Sequence, residues 1–530
     1  DGSEYHNSAY EGEKTQQLVL SDGFTTNVNT VAGVYDARTS GKGADSGSVV
    51  ISGKIDWTGT VYGGYSEKGT ASNNAIYVGS YDENHTFHAA EAGNVTVFGG
   101  GSSMQSEGNS ENKLVVNGNG NKLNSISGFD SVTFSGMAWN GVNALSVSSA
   151  DVTGTSFNVE SMEGGHTYQA GDHLTLLQSE NAITGTLEDI QVDDTITAGV
   201  TQDLQVETVS NENSIGLEVQ SISLNPQVDL IAENRAVAAA FVNQGTELIS
   251  DSLDTLSHDG RYGTKTFAAV YGNRSKYDVN SDLKINGWST IVGVGNTHKV
   301  KDGDLSWGVF YENGTGNYRT YNSFNNEFFR GDGSLLYNGG GAAVRYNRDN
   351  GWYYEGSLRA GTLKSDMDNA LMDGEGNHYG YSSESTYYGA HIGVGKVFSL
   401  SDDRELDVYG KFFHTYTEGD SFDVAGDRFE FDDITSDRLR IGARIRANPE
   451  ERVSTYYGLA YEYEFNGDSD MRAAGLNAPT QSLQGSTYMA ELGLKYQPSE
   501  TSPWNLDLSV RGYAGEREGS SFYAQVSYLF

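Results

Sequence analysis

The sequence predicts an all-β chain interrupted by one long helix. The expected order is an N-terminal parallel β-helix over residues 1–224, a helix within 225–258, and a C-terminal 12-stranded antiparallel transmembrane β-barrel over 259–530. Three observations carry this. Phe522, Ala524, Val526, Tyr528 and Phe530 occupy alternate positions at the end of the chain, so they share one face of a strand. Leu439, Ile441, Ala443 and Ile445 alternate in the same way with Arg438, Arg440, Arg444 and Arg446 around Gly442. The first half instead holds short aliphatic triplets separated by turn residues.

The barrel elements follow from repeated alternation. Placing the arginines of segment 437–446 in a soluble apolar core would be prohibitive. A water-filled lumen accepts them while the aliphatic face meets lipid. Trp504, Leu506, Leu508 and Val510 repeat the logic, as do Tyr488, Ala490, Leu492 and Leu494, and Tyr457, Leu459, Tyr461 and Tyr463. About twelve such strands are expected, beginning near Thr264, Asn286, Leu305, Leu335, Trp352, Thr386, Glu405, Asp437, Val453, Thr487, Trp504 and Ser520. Short turns at 347–351, 448–452 and 497–503 interleave with long loops expected at 317–333, 366–383, 418–435 and 466–485. That alternation suits short periplasmic turns and long outer loops.

The helix follows Asn225-Pro226, a start signature with Asn as N-cap and Pro as the first helical residue. The run 236–242 is rich in alanine and forms helix readily. Some thirty residues at ~1.5 Å each make a rod of about 45 Å, longer than the ~30 Å hydrocarbon layer. Its charges are mostly acidic: Asp229, Glu233, Glu247, Asp251 and Asp254 against Arg235. The helix is therefore expected in the lumen, meeting Arg438, Arg440, Arg444 and Arg446.

Composition sets the outer limits. The chain has 530 residues, no cysteine, 67 glycines and a formal charge of −37, which leaves no basic surface for nucleic acid. No run approaches the ~18 apolar residues of a transmembrane helix, which says nothing about a barrel. The absence of a signal peptide at Asp1 suggests a mature or trimmed form.

With the closing alternation of 522–530, the helix and the twelve-strand pattern in place, the chain resembles the monomeric (type Va) autotransporters. The terminal strand is similar to the assembly signal of outer-membrane barrels. The resemblance implies a barrel in the Gram-negative outer membrane that carries its own N-terminal passenger to the cell surface. It implies outer-membrane lipid, lipopolysaccharide and the barrel-assembly machinery as partners, a monomer, and no cofactor. Some relatives cut the passenger free with an Asn-Asn pair in the helix. Here Asn234 precedes Arg235 and Asn243 precedes Gln244, so an attached passenger is expected.

In the first half, Val49-Val50-Ile51, Ile76-Tyr77-Val78, Val95-Thr96-Val97, Leu114-Val115-Val116, Val132-Thr133-Phe134 and Leu145-Ser146-Val147 recur at spacings near the ~20 residues of a solenoid rung. Residues 61–66 (VYGGYS) are echoed by 97–102 (VFGGGS), and 164–185 is expected to hold the last, better-packed rungs.

Chemistry is sparse. Segment 43–48 (GADSGS) is similar to the nucleophile motif of chymotrypsin-like passengers, but Ala44 stands where that motif needs glycine for the oxyanion hole. His85 and His88 would point to opposite faces of a strand, with no further ligand to complete a zinc set. No catalytic set and no metal ligands are assigned. Arg330-Gly331-Asp332 falls in an expected outer loop, where an adhesive tripeptide would have to lie. The leading reading is a displayed β-helical passenger acting in adhesion to a host surface or neighbouring cells, or in self-association. A displayed hydrolase and a channel with an accessory domain are the alternatives.

Overall fold

A computed structural model describes residues 4–6, 17–36, 43–102, 109–138, 140–190, 192–258, 260–278, 282–324 and 327–530. The chain divides into two compact units. The first is Asp1–Asn225 with Asp373–Asn377 and Ala425–Asp427; the second holds the remainder from Pro226 to Phe530.

The first unit is built from two separate, mainly parallel sheets. The chain alternates between them. Leu18–Leu20, Ser48–Ile51, Ala75–Val78, Lys113–Asn117, Ser131–Ser135 and Ser156–Val159 form one sheet. Thr30–Asp36, Gly59–Ser66, Ala90–Ser102, Asn121–Ser127, Leu145–Ala150 and His173–Ser179 belong to the other. All six aliphatic triplets lie in these strands. The echo between 61–66 and 97–102 has a structural counterpart: Val97 pairs with Val61, Phe98 with Tyr62 and Ser102 with Ser66. Repeated residues thus stack in register, and Tyr62 and Phe98 stack with ring centroids 5.1 Å apart. Leu20, Val31, Ile51, Val61, Ile76, Val97, Leu114, Val116 and Phe134 are fully buried in one apolar core.

A buried asparagine column runs beside this core. Asn74 Nδ2 donates to Asn112 Oδ1 at 2.9 Å and to Ala44 O at 3.2 Å, and Asn112 Nδ2 donates to Ala71 O at 2.9 Å. These side chains satisfy backbone carbonyls at the turns, where no strand partner is available.

Parallel strand pairing gives way to antiparallel pairing at His173–Ser179, inside the 164–185 segment where the last rungs are expected. His173–Ser179 pairs in parallel with Leu145–Ala150, but antiparallel with Ser214–Leu224, followed by Gln202–Asn211 and Thr195–Ala198. The tight turn at 211–214, where Asn213 N donates to Asn211 Oδ1, folds the chain back on itself. A short return of this kind permits only antiparallel neighbours.

The second unit is a closed antiparallel barrel. Its strands are β1 (Gly263–Asp278), β2 (Asp282–Val300), β3 (Gly303–Phe324), β4 (Glu327–Arg348), β5 (Trp352–Met372), β6 (His378–Ser401), β7 (Arg404–Thr417), β8 (Ile434–Ala447), β9 (Val453–Glu464), β10 (Gly485–Tyr496), β11 (Trp504–Gly515) and β12 (Arg517–Leu529). Closure comes from β12 pairing with β1, Lys265 opposite Leu529 through Tyr277 opposite Arg517. Even residues of the last strand face outward, with Phe522 and Val526 exposed between buried Ser521, Tyr523, Gln525 and Ser527. Closure of the sheet removes the edge that this apolar strand would otherwise present.

Two expected loops are strand instead. β3 and β4 continue their pairing to Phe324 opposite Glu327, and β5 and β6 to Met372 opposite His378. Arg330, Gly331 and Asp332 therefore lie within β4, opposite Tyr321, Thr320 and Arg319, rather than in a loop. Arg330 Nη2 donates to Asp332 at 2.8 Å, so the two charges engage each other. Polar residues misled the sequence reading here because a paired backbone outside the lipid layer needs no apolar face.

Candidate functional site

Helix α1 (Asp229–Ser257) follows a 3-10 turn at Pro226–Val228. Asn225 precedes that turn, its Nδ2 donating to Asp203 Oδ1 at 2.9 Å, and Val228 rather than Asn225 holds the N-cap position of α1, without a side-chain bond. At ~1.5 Å per residue, its 29 residues make a rod of about 44 Å. From Leu230 to Ser250 every helical residue is buried.

The helix has two chemically distinct faces. Glu247, Asp251, Asp254 and His258 follow one another at intervals of four, three and four, so they lie in a single row. Leu248, Ile249, Leu253 and Leu256 form the other face and pack against Phe267, Ile291, Phe310 and Ala343 from β1 to β4. The lumen thus has an apolar wall and a charged wall, each matched to one side of α1.

The acidic row is met by arginines from β8, β11, β12 and β4. Arg438 Nη1 donates to Glu247 Oε1 at 2.9 Å, Arg440 Nη2 lies 3.0 Å from the same oxygen, and Arg517 Nη1 lies 3.1 Å away. One turn on, Arg511 grips Asp251 with two bonds of 2.8 Å. Asp254 then receives Arg345 and Arg444 at 2.8 Å each and Arg446 at 3.0 Å. His258 Nδ1 lies 3.1 Å from Asp254 Oδ1. The residual charge on the arginines is met by other strands, through Glu462 on β9 and Glu491 on β10.

Such buried pairs carry a desolvation cost close to their attraction, so their chief effect is to select one position of the rod. A shift by one turn would leave several guanidiniums without carboxylates.

Further contacts hold the rest of the helix. Arg235 Nη1 donates to Ser385 Oγ at 2.9 Å, and its guanidinium lies 5.1 Å from the centre of the Phe431 ring. Asn243 Nδ2 donates to Ser436 Oγ at 2.9 Å, while its carbonyl accepts from Arg438 at 3.1 Å. Asn234 Nδ2 donates to Tyr381 at 3.3 Å. Glu233 is buried and Asp229 half-buried in the first turns. Gly245 lets Arg359 approach: a Cβ there would overlap Arg359 Nη1 and lie 2.8 Å from Tyr337 Oη. Arg359 in turn donates to Val242 O and lies 2.9 Å from Glu312.

Sequence reasoning assigned no helix or lumen contact to Arg345, Arg359, Arg511, Arg517, Glu312, Glu491 or Glu355, the last lying 3.0 Å from Arg345. A signal was available for all but Arg517, which stands between Glu516 and Glu518: each of the others has an outward apolar neighbour on its strand. Among the described residues, no group of three or more His, Asp or Glu could hold a metal ion.

Residues 266–510 match the family model of the autotransporter β-domain. The barrel is an autotransporter translocator. That match puts the barrel in the outer membrane, where it serves export of an N-terminal passenger to the surface. Solved structures with a similar barrel include the β-domain of the Bordetella autotransporter BrkA, at 17% identity and TM-score 0.39, covering 51% of this chain and 100% of that one. The translocator of NalP from Neisseria meningitidis is 14% identical at TM-score 0.41, covering 56% and 97%. The transport unit of AIDA-I from Escherichia coli is 12% identical at TM-score 0.42, covering 54% and 99%. No curated protein matches the chain.

Proposed function

We propose that this autotransporter displays residues 1–225 as a short β-helical passenger that stays joined to its barrel and acts in self-association or adhesion. The observation that carries the attachment is the clasp on α1. Glu247, Asp251 and Asp254 each meet lumen arginines at 2.8–3.1 Å, so the helix behind the passenger is fixed in the pore. The isolated Asn234 and Asn243 support an uncut helix.

The β-helical reading rests on the alternation of successive strands between two sheets, with parallel register from one rung to the next. Stacked rungs give long polar faces suited to many weak contacts. Adhesion and self-association share this multivalent logic.

Protease shaving of intact expressing cells tests display. Loss of residues 1–225 with a protected fragment beginning near Asn225 is the expected result. Full protection until the outer membrane is opened would overturn it. Settling of cells expressing the full chain, against cells expressing residues 226–530, tests self-association.

A further inference from the structure

The first unit contains two short segments that come from far along the chain, residues 373–377 and 425–427. Both bring a carboxylate. Asp427 is fully buried. Its Oδ1 accepts from Gly165 N at 2.9 Å, and its Oδ2 accepts from Val200 N at 2.9 Å and Thr201 Oγ1 at 2.8 Å. Glu375 Oε1 accepts from Ser135 Oγ and Ser161 Oγ, each at 2.7 Å, and both serines are nearly buried.

The residues around Asp427 are shaped for it. A Cβ at Gly164 would overlap the Ala425 carbonyl, and one at Gly199 would overlap the Asp427 carboxylate. Gly199 also has φ +56, in the left-handed region. Glycine is the residue that supplies both the conformation and the space. Two backbone amides and a hydroxyl converging on one carboxylate are the donor set that an anion needs on leaving water.

We propose that Gly164–Gly165 and Gly199–Thr201 form a carboxylate receptor for Asp427, and that the first unit reaches its full stability only when this residue is delivered to it. Thr201 and Asp427 are 226 positions apart. The ligand is therefore a later segment of the same chain, and residues 1–225 are not self-sufficient. Ser135 and Ser161 make a second, independent receptor for Glu375.

The test is limited proteolysis of the purified full-length protein in detergent, which does not depend on where the first unit is displayed. Cleavage within residues 1–225 is followed for the wild type, Asp427→Ala, Thr201→Val and the double variant. Heat-modifiability of the barrel on SDS gels is read in parallel, and exposed Asp423→Ala is the control. Loss of a buried hydrogen-bonded partner corresponds to cleavage faster by about tenfold or more in Asp427→Ala, with the barrel unchanged. The double variant should be no worse than Asp427→Ala alone, since both lesions break the same bond. Wild-type cleavage in Asp427→Ala overturns the proposal, as does full additivity in the double variant. If Asp427→Ala leaves no folded barrel, Thr201→Val decides: accelerated cleavage supports the receptor and an unchanged rate rejects it.

Discussion

Asp254 on the helix and Arg444 on β8 meet at 2.8 Å, 190 positions apart in the chain, with both side chains buried. Arg345 and Arg446 converge on the same carboxylate. The charge of the helix is thus used at one specific depth in the lumen.

Removing a carboxylate from this row should loosen the plug. Glu247→Ala leaves Arg438, Arg440 and Arg517 with a shared partner missing, although Glu462 still serves the first two. Loss of one member of a buried pair costs about 3–5 kcal/mol. The expected result is a lower temperature for loss of the compact barrel band on SDS gels. Glu247→Ala combined with Asp254→Ala should also raise single-channel conductance in planar bilayers.

Gly245→Val should act on the same helix by overpacking. The added side chain meets Arg359 and Tyr337 with nowhere to move, and overfilled interiors cost about 1–3 kcal/mol. The melting temperature of the purified barrel should fall, whereas exposed Asp423→Ala should leave it unchanged.

In the first unit, Asn112→Ala should be costly out of proportion to its size. Asn112 Oδ1 accepts from Asn74, and its Nδ2 donates to Ala71 O. Leaving such groups buried and unmatched costs about 1–3 kcal/mol each. Faster proteolysis within residues 1–225, with the barrel unaffected, is the expected outcome.

Acidity should act on the first unit through Asp427. Burial is the largest influence on its carboxyl group and raises its pKa above the usual range, against the hydrogen bonds that lower it. The folded form therefore binds a proton more readily than the unfolded form, whose value is about 3.9. The part of its contribution that is linked to protonation is full below that unfolded value and is lost as pH rises through the folded one, while the hydrogen bonds to the carboxylate remain. Asp427→Asn should flatten this slope. Proteolysis of residues 1–225 between about pH 4 and pH 8, wild type against variant, measures it.

A last expectation concerns chain integrity. Intact mass measurement of protein extracted from outer membranes should find one chain, with no break after Asn234 or Asn243. A fragment ending at either residue would reject the attached passenger.

Much of the barrel was legible because its physics is local. Lipid on one side and water on the other impose a two-residue period, so Leu439, Ile441 and the arginines between them declare their faces without reference to any partner. The helix was legible for the same reason, through its alanine-rich run. The stacked repeats of the first half were visible as the echo of 61–66 in 97–102. Apart from the expected meeting of the helix with Arg438, Arg440, Arg444 and Arg446, the sequence left open most relations that depend on which distant segments meet. Arg511 and Arg345 join the clasp because barrel closure brings β4, β8 and β11 around one rod. The antiparallel turn at 211–214 and the pairing at Arg330–Asp332 were settled by neighbours, since polar strands lack the apolar pattern that announces a sheet. Asp427 belongs to the first unit because two glycine turns leave room for its carboxylate, which accepts from Thr201, 226 positions earlier in the chain. Periodicity determines which face a residue presents; only packing decides what that face meets.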